Sequence, residues 1–230
     1  MRLDNYLKGK EKLTRSKIKA LILAGAVKVN DKIIMKASYQ IKEDDKVELL
    51  TTNKYVSRAG LKLEEAITYF QLDFKDKVIL DVGSSTGGFT DCSLKHGAKI
   101  VYAYDVGTLQ MDETLRKDER IVLKEQTNIL KADPPNVDIA LIDVSFTSTL
   151  PIMKHIKNKA KLFVILFKPQ FEVGRINLKK GIVKEEKIAL LKLQELKSAL
   201  EEQKLTVVDF IKTALKGKKG NQEYLMLVKK

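Results

Sequence analysis

The sequence predicts an α/β protein: a Rossmann-like, doubly wound, mainly parallel sheet preceded by a small α+β domain. Three observations lead there. From residue 58 onward, strand-like apolar runs alternate with amphipathic helical stretches, the pattern of a parallel sheet covered on both faces. VILDV, DIALID and LFVILF are largely apolar runs, as expected of strands buried on both sides. The first of these runs ends in a glycine-rich loop, DVGSSTGG, at the place where such sheets hold ligands.

Residues 1–50 read as one unit. Leu3, Tyr6 and Leu7 have helical spacing. Thr14 is placed to cap a second helix with Ile18, Leu21, Ile22 and Leu23 on its apolar side, and Gly25 is its stop. AVKVNDKIIMKA reads as strand, turn at Asn30-Asp31, and strand, and KVELL as a further strand. Residues 51–57, opening on the polar TTNK, form the linker, and 58–230 the large domain. There, SRAGLKLEEAITYF is an amphipathic helix. Strands follow at KVILDVG, KIVYAYDVG, RIVLKEQT, VDIALIDVS, KLFVILFKP, LTVVDFIKT and EYLMLVKK. Helices are expected near 88–96, 110–117, 148–158 and 184–203.

The chain has 230 residues, 44% hydrophobic, enough for a large domain with a small one and a buried core. Its net charge of +13 points to a polyanionic partner, nucleic acid ahead of an acidic membrane face. A single cysteine, Cys92, excludes an internal disulfide or a cysteine-rich zinc site and fits a reducing, cytoplasmic compartment. His96 and His155 lie at no ligand spacing, so no metal is expected. No apolar run approaches the roughly 18–20 residues of a membrane span.

The glycine loop narrows the ligand. Asp81 precedes Gly83, Gly87 and Gly88. Asp105 ends the next strand, placed to accept hydrogen bonds from both ribose hydroxyls of an adenosine. The spacing G-x-x-x-G-G is neither the dinucleotide pattern nor a phosphate loop. An acid ahead of the loop, with no provision for pyrophosphate, suits the ammonium group of S-adenosylmethionine. A turn needed only for tight packing is the alternative. Ser84, Ser85 and Thr86 offer hydroxyls and amides, and Asn128 follows the third strand near the adenine edge.

DVGSSTGGF, with Phe89 as its last residue, resembles the first motif of the FtsJ-type ribose methyltransferases, of the class I methyltransferase fold. YVSRAGLKLEEA, ALIDVSF, LFKPQFEVG and KGNQEYL resemble, in order, the signature segments of the TlyA family, also labelled haemolysin-like. The first fifty residues resemble the S4 RNA-binding domain of that family. The resemblance covers nearly the whole chain. It implies methyl transfer from S-adenosylmethionine to an rRNA ribose 2′-hydroxyl, on a cytidine, and a cofactor site that includes Val106 beside Asp105. It implies a catalytic set of Lys62, Asp143, Lys168 and Glu223, with Lys168 as base and the others orienting. Because this chain starts almost at its first helix, it resembles the short forms that act on the large subunit, with rRNA or the ribosomal subunit as partner.

RNA-binding residues are expected at Arg2, Arg15, Lys17, Lys19, Lys28 and Arg58. Arg15 and Lys19 share one helix face, for which a phosphate-binding face and a solvated face both fit. Arg58, with Lys54, Tyr55 and Ser57, either contacts RNA or packs the linker. Two other functions compete: a catalytically silent RNA-binding module, and a membrane-active haemolysin.

Overall fold

A computed structural model describes residues 1–10, 15–23, 25–49 and 54–230. The Thr14 cap, Leu50 and linker residues 51–53 lie outside them, as does the side chain of Lys17. The chain divides into two compact units, Met1–Arg58 and Ala59–Lys230.

The first unit begins with α1 (Leu3–Lys10) and α2 (Arg15–Leu23), followed by β1 (Val27–Val29), β2 (Lys32–Ile33) and β3 (Val47–Leu49). The strands are antiparallel in the order β2-β1-β3. Asn30 and Asp31 both have positive φ, 48° and 64°, the twist a two-residue hairpin requires. Leu3, Leu7, Ile18, Ile22, Val27, Val29 and Ile41 form the core. Leu23, expected on the apolar side of α2, is exposed.

α3 (Arg58–Tyr69) begins at the last residue of the first unit and runs into the second, which carries a seven-stranded sheet. Its parallel strands are β4 (Val78–Val82), β5 (Ile100–Tyr104), β6 (Ile121–Lys124), β7 (Ile139–Ile142) and β8 (Leu162–Phe167). Between them run α4 (Gly88–Lys95), α5 (Glu113–Arg116) and α6 (Thr149–Ile156). After β8 come α7 (Pro169–Glu172), the small hairpin β9 (Leu178–Lys179) and β10 (Ile182–Val183), and α8 (Glu186–Glu202). The chain ends in β11 (Thr206–Lys212) and β12 (Tyr224–Lys229). The order is β11-β12-β8-β7-β4-β5-β6, and β12 runs antiparallel to both of its neighbours. The doubly wound, mainly parallel sheet expected from the sequence is therefore present. β4, β7, β8 and β12 are almost wholly buried, which accounts for their apolar runs.

This order fixes where a ligand binds. From β4 the chain winds outward to β5 and β6, then crosses back to β7 on the other side. Connections leave β4 and β7 in opposite directions, so a crevice opens at their carboxyl ends.

Candidate functional site

Six residues singled out from the sequence occupy that edge of the sheet. Asp81 lies in β4, with Gly83 just beyond its end. Asp105, Asp143 and Lys168 directly follow β5, β7 and β8. Glu223 precedes β12, whose antiparallel direction brings its start to the same edge.

The glycine loop is built on β5. Gly83 N and Ser84 N both donate to the Tyr104 carbonyl, at 2.8 and 3.2 Å. Gly83 has φ +86°, and a Cβ there would lie 2.6 Å from the Asp143 carbonyl oxygen. Only glycine gives both the left-handed backbone and this close approach. The loop turns through a Gly87 N–Ser84 O bond of 2.7 Å and enters α4. Gly88 and Phe89 are buried. Ser85, Thr86 and Val106 are exposed.

Asp105 ties the crevice together. Its Oδ2 accepts Ser85 N at 2.8 Å and its Oδ1 accepts Gly107 N at 2.6 Å. Its carbonyl accepts Thr127 N at 2.9 Å, drawing Asn128 to the same end of the sheet. The Asn128 side-chain oxygen caps a short 3₁₀ turn, Ile129–Lys131, by accepting Leu130 N.

Asp81 is fully buried. Its Oδ2 accepts the Thr90 hydroxyl at 2.6 Å, while its Oδ1 is buried without a hydrogen-bond partner among the described residues. Burial pushes its pKa up to about 7; the Thr90 bond opposes this, and the charges of Asp143 and Asp105 add to it. The Ser84 hydroxyl is likewise buried and unpartnered. A buried carboxylate oxygen left unsatisfied costs free energy unless a donor or cation meets it. Carboxylates, hydroxyls and backbone amides, with no Lys or Arg in residues 81–90, fit an ammonium-bearing adenosine ligand better than a pyrophosphate.

The four charged residues carried over from the resemblance form two ion pairs. Lys168 Nζ lies 2.5 Å from Asp143 Oδ1 and 3.1 Å from the Ser145 hydroxyl. Lys62, on α3, pairs with Glu223, both buried. The Gln170 side chain, two residues beyond Lys168, donates to Glu223 Oε1 at 3.2 Å. One short segment after β8 thus touches both pairs. Gly217 packs against the same carboxylate, since a Cβ there would lie 2.4 Å from Oε1. Sequence reasoning missed Thr90, Ser145, Gln170 and Gly217. Ser145 and Gln170 stand in the quoted motifs, but nothing in their spacing marks them as partners. Beside Asp143, Phe146 adopts φ 64°, is exposed, and packs against Phe171 at 4.8 Å between ring centres.

The basic residues of the N-terminal unit are dispersed. Arg2 makes a bidentate pair with the buried Asp4, both contacts at 2.9 Å. Hydrogen bonding from Arg2 holds the Asp4 carboxyl below its usual range, and Arg15 adds to the effect. Arg15 and Lys19 are exposed on α2, while Lys28 and Arg58 are half-buried.

Among the described residues, no helix is long and apolar enough to cross a membrane. Residues 55–230 match the FtsJ-like methyltransferase family and residues 1–47 match the S4 domain. The chain is 39% identical to Hemolysin A of Brachyspira hyodysenteriae, over 98% of each chain. It is 35% identical to the 23S rRNA (cytidine-2′-O)-methyltransferase TlyA of Campylobacter jejuni, over 97% of each. A solved structure of a putative hemolysin from Streptococcus thermophilus superposes with a TM-score of 0.78 at 35% identity, over 100% of this chain and 88% of that one.

Proposed function

The chain belongs to the FtsJ-like methyltransferase family, and from that premise we propose that it transfers a methyl group from S-adenosylmethionine to the 2′-hydroxyl of an rRNA ribose. The observation that carries this reading is the meeting of two ion pairs, Asp143–Lys168 and Lys62–Glu223, at the sheet edge that bears the glycine loop.

Asp81, Ser84 and the 83–88 backbone hold the amino-acid end of the cofactor, Asp105 its ribose, and Asn128 its adenine edge. The cofactor supplies a sulfonium methyl, an electrophile that needs no metal activation. The protein's tasks are alignment, worth about 7–11 kcal/mol of barrier in favourable cases, and removal of the hydroxyl proton. Lys168 Nζ takes that proton as it passes one of its own to the paired Asp143 carboxylate. Asp143 and Ser145 fix the position of Nζ. Lys62, braced by Glu223 and Gln170, fixes the ribose and contributes a positive charge near the developing oxyanion. The exposed Phe146 ring offers a face on which an unstacked base rests.

The S4 domain brings the RNA, through Arg15, Lys19 and Lys28, and Arg58 at the start of α3 contacts it as well. Arg2 extends that surface with the part of its guanidinium left outside the Asp4 pair; Lys17 remains a sequence candidate whose side chain lies outside the described residues. The target is a cytidine of the large subunit, a reading supported by the end-to-end match to the Campylobacter enzyme.

The test is methyl transfer from labelled S-adenosylmethionine to separated ribosomal subunits, with the position mapped by resistance to alkaline cleavage. Label on a large-subunit cytidine ribose is expected. Label on both subunits keeps the enzyme and removes the subunit preference. Cofactor binding with no label on either subunit points to a silent RNA-binding module.

A further inference from the structure

Segments 175–187 and 212–219 hold nine Lys and Arg residues against two acids, Glu185 and Glu186. Their net of seven positive charges is more than half of the chain's +13. All nine basic residues are exposed. Two have internal partners: Lys212 pairs with Glu186, and Lys184 Nζ donates to the Ile176 carbonyl at 2.8 Å. Lys179, Lys180, Lys216, Lys218 and Lys219 take part in none of the ion pairs of the described residues.

These lysines sit on a fixed scaffold. Asn221 is buried and clamps the 216–220 loop to the β9–β10 hairpin. Its Nδ2 donates to the Gly181 carbonyl at 2.9 Å, and its Oδ1 accepts Val183 N at 2.9 Å. Its carbonyl accepts Gly217 N at 2.9 Å, and Gly220 N closes the turn on the Gly217 carbonyl at 2.8 Å. A Cβ on Gly181 would lie 3.5 Å from Lys219 Nζ, so the hairpin tip and the loop share one surface. Two residues past Asn221 stands Glu223, against which Gly217 packs. The lysines are thus built onto the backbone that positions the Lys62–Glu223 pair.

Like charges held close repel one another, and an unpartnered basic cluster is the electrostatic footprint of a polyanion site. We infer that this lysine rim on the catalytic unit grips the RNA phosphates flanking the target ribose. The inference rests on the ribose-methyltransferase reading, because a ribose placed beside Glu223 has its own phosphodiesters within reach of residues 216–219. An RNA is favoured over an acidic lipid surface because the rim adjoins the site edge.

The test is the full-length variant K216Q/K218Q/K219Q beside the wild-type chain. Three properties are measured: affinity for a large-subunit rRNA transcript across a KCl series, S-adenosylmethionine affinity, and methyl transfer to ribosomal subunits. Each lost phosphate contact lowers the slope of log K against log salt by about 0.7–0.9, so the slope is expected to fall by about two. RNA affinity should drop at least tenfold, with cofactor affinity unchanged as evidence of an intact fold. Wild-type affinity and slope in the variant would overturn the rim, and if that variant and the wild type both methylate rRNA, the enzyme reading stands without it. A wild-type chain whose RNA binding depends on these lysines but which methylates no rRNA would refute the enzyme reading and leave the rim. Lysine-dependent binding to phosphatidylglycerol vesicles, with RNA binding unaffected by the substitutions, would overturn it in favour of a lipid surface.

Discussion

Lys62 and Glu223, separated by 161 positions, meet as a buried ion pair between α3 and the start of β12. Glu223 also accepts from Gln170, so its carboxylate is satisfied on both oxygens. Removing one partner of such a pair leaves an uncompensated buried charge, which costs about 3–5 kcal/mol. Glu223→Leu is therefore expected to lower stability by that amount in urea titration and to abolish methyl transfer. The double variant Lys62→Met/Glu223→Leu is expected to regain most of the stability and none of the activity. Equal stability of the single variant and the wild type would mean that water reaches Lys62.

Lys168 is the proton acceptor in the proposed reaction. General-base catalysis contributes about 10²–10⁴ in rate, so Lys168→Ala should lose that factor in single-turnover methyl transfer. Lys168 is not among the residues assigned to the cofactor, and calorimetry should find S-adenosylmethionine affinity within about twofold of wild type. Lys168→Arg keeps the charge but cannot deprotonate and should be equally inactive. Substantial turnover by either variant would move the base elsewhere.

In the proposed site, Asp81 should link cofactor binding to pH. Its folded pKa, raised to about 7 by burial, lies above the unfolded value near 3.9. Between those values the folded state binds more protons than the unfolded one, so stability falls as pH rises through the window and levels off above 7. The span corresponds to about 4 kcal/mol at most. Cofactor affinity should move the opposite way, since in the proposed site the ionised carboxylate meets the ammonium group. From pH 5.5 to 7 the affinity is expected to climb, by up to tenfold per unit. Asp81→Asn should flatten both profiles, which thermal denaturation and calorimetry at pH 5.5, 6.5 and 7.5 would read. A wild-type affinity independent of pH would place the ammonium elsewhere.

Much of this architecture was legible in the sequence, and the exceptions have physical causes. VILDV and LFVILF announce β4 and β8 because both of their faces are buried. YLMLV announces a buried strand equally well, but not its direction, since an apolar run looks the same in a parallel and an antiparallel ladder. Yet the antiparallel course of β12 is what delivers Glu223 to the site. The helix expected near 110–117 shrinks to Glu113–Arg116, because Asp112 caps it through Thr114 N at 3.0 Å. The β9–β10 hairpin has two-residue strands, too short for any periodicity. Asp81 and Asp105 could be placed at the ligand edge from their positions at strand ends. Lys62 could not, since a lysine in an amphipathic helix looks solvated until its buried partner is seen. It came from the resemblance, and Gln170 and Gly217 only from the fold.

Gly217 supplies the last prediction. A Cβ there would lie 2.4 Å from Glu223 Oε1 and 3.1 Å from its Cδ. Glu223 is buried and held by Lys62 and Gln170, so it cannot swing aside without breaking one of those contacts. Gly217→Ala is expected to displace the carboxylate and lower kcat by at least tenfold, with a stability loss of about 1–3 kcal/mol from overpacking. Because the contact lies at Glu223 and not at the glycine loop, cofactor affinity should hold. Gln170→Leu, which removes the hydrogen bond to Oε1, should lower kcat in the same way without overpacking. If both variants turn over at the wild-type rate, the position of Glu223 does not limit the reaction, and its role reduces to neutralising Lys62.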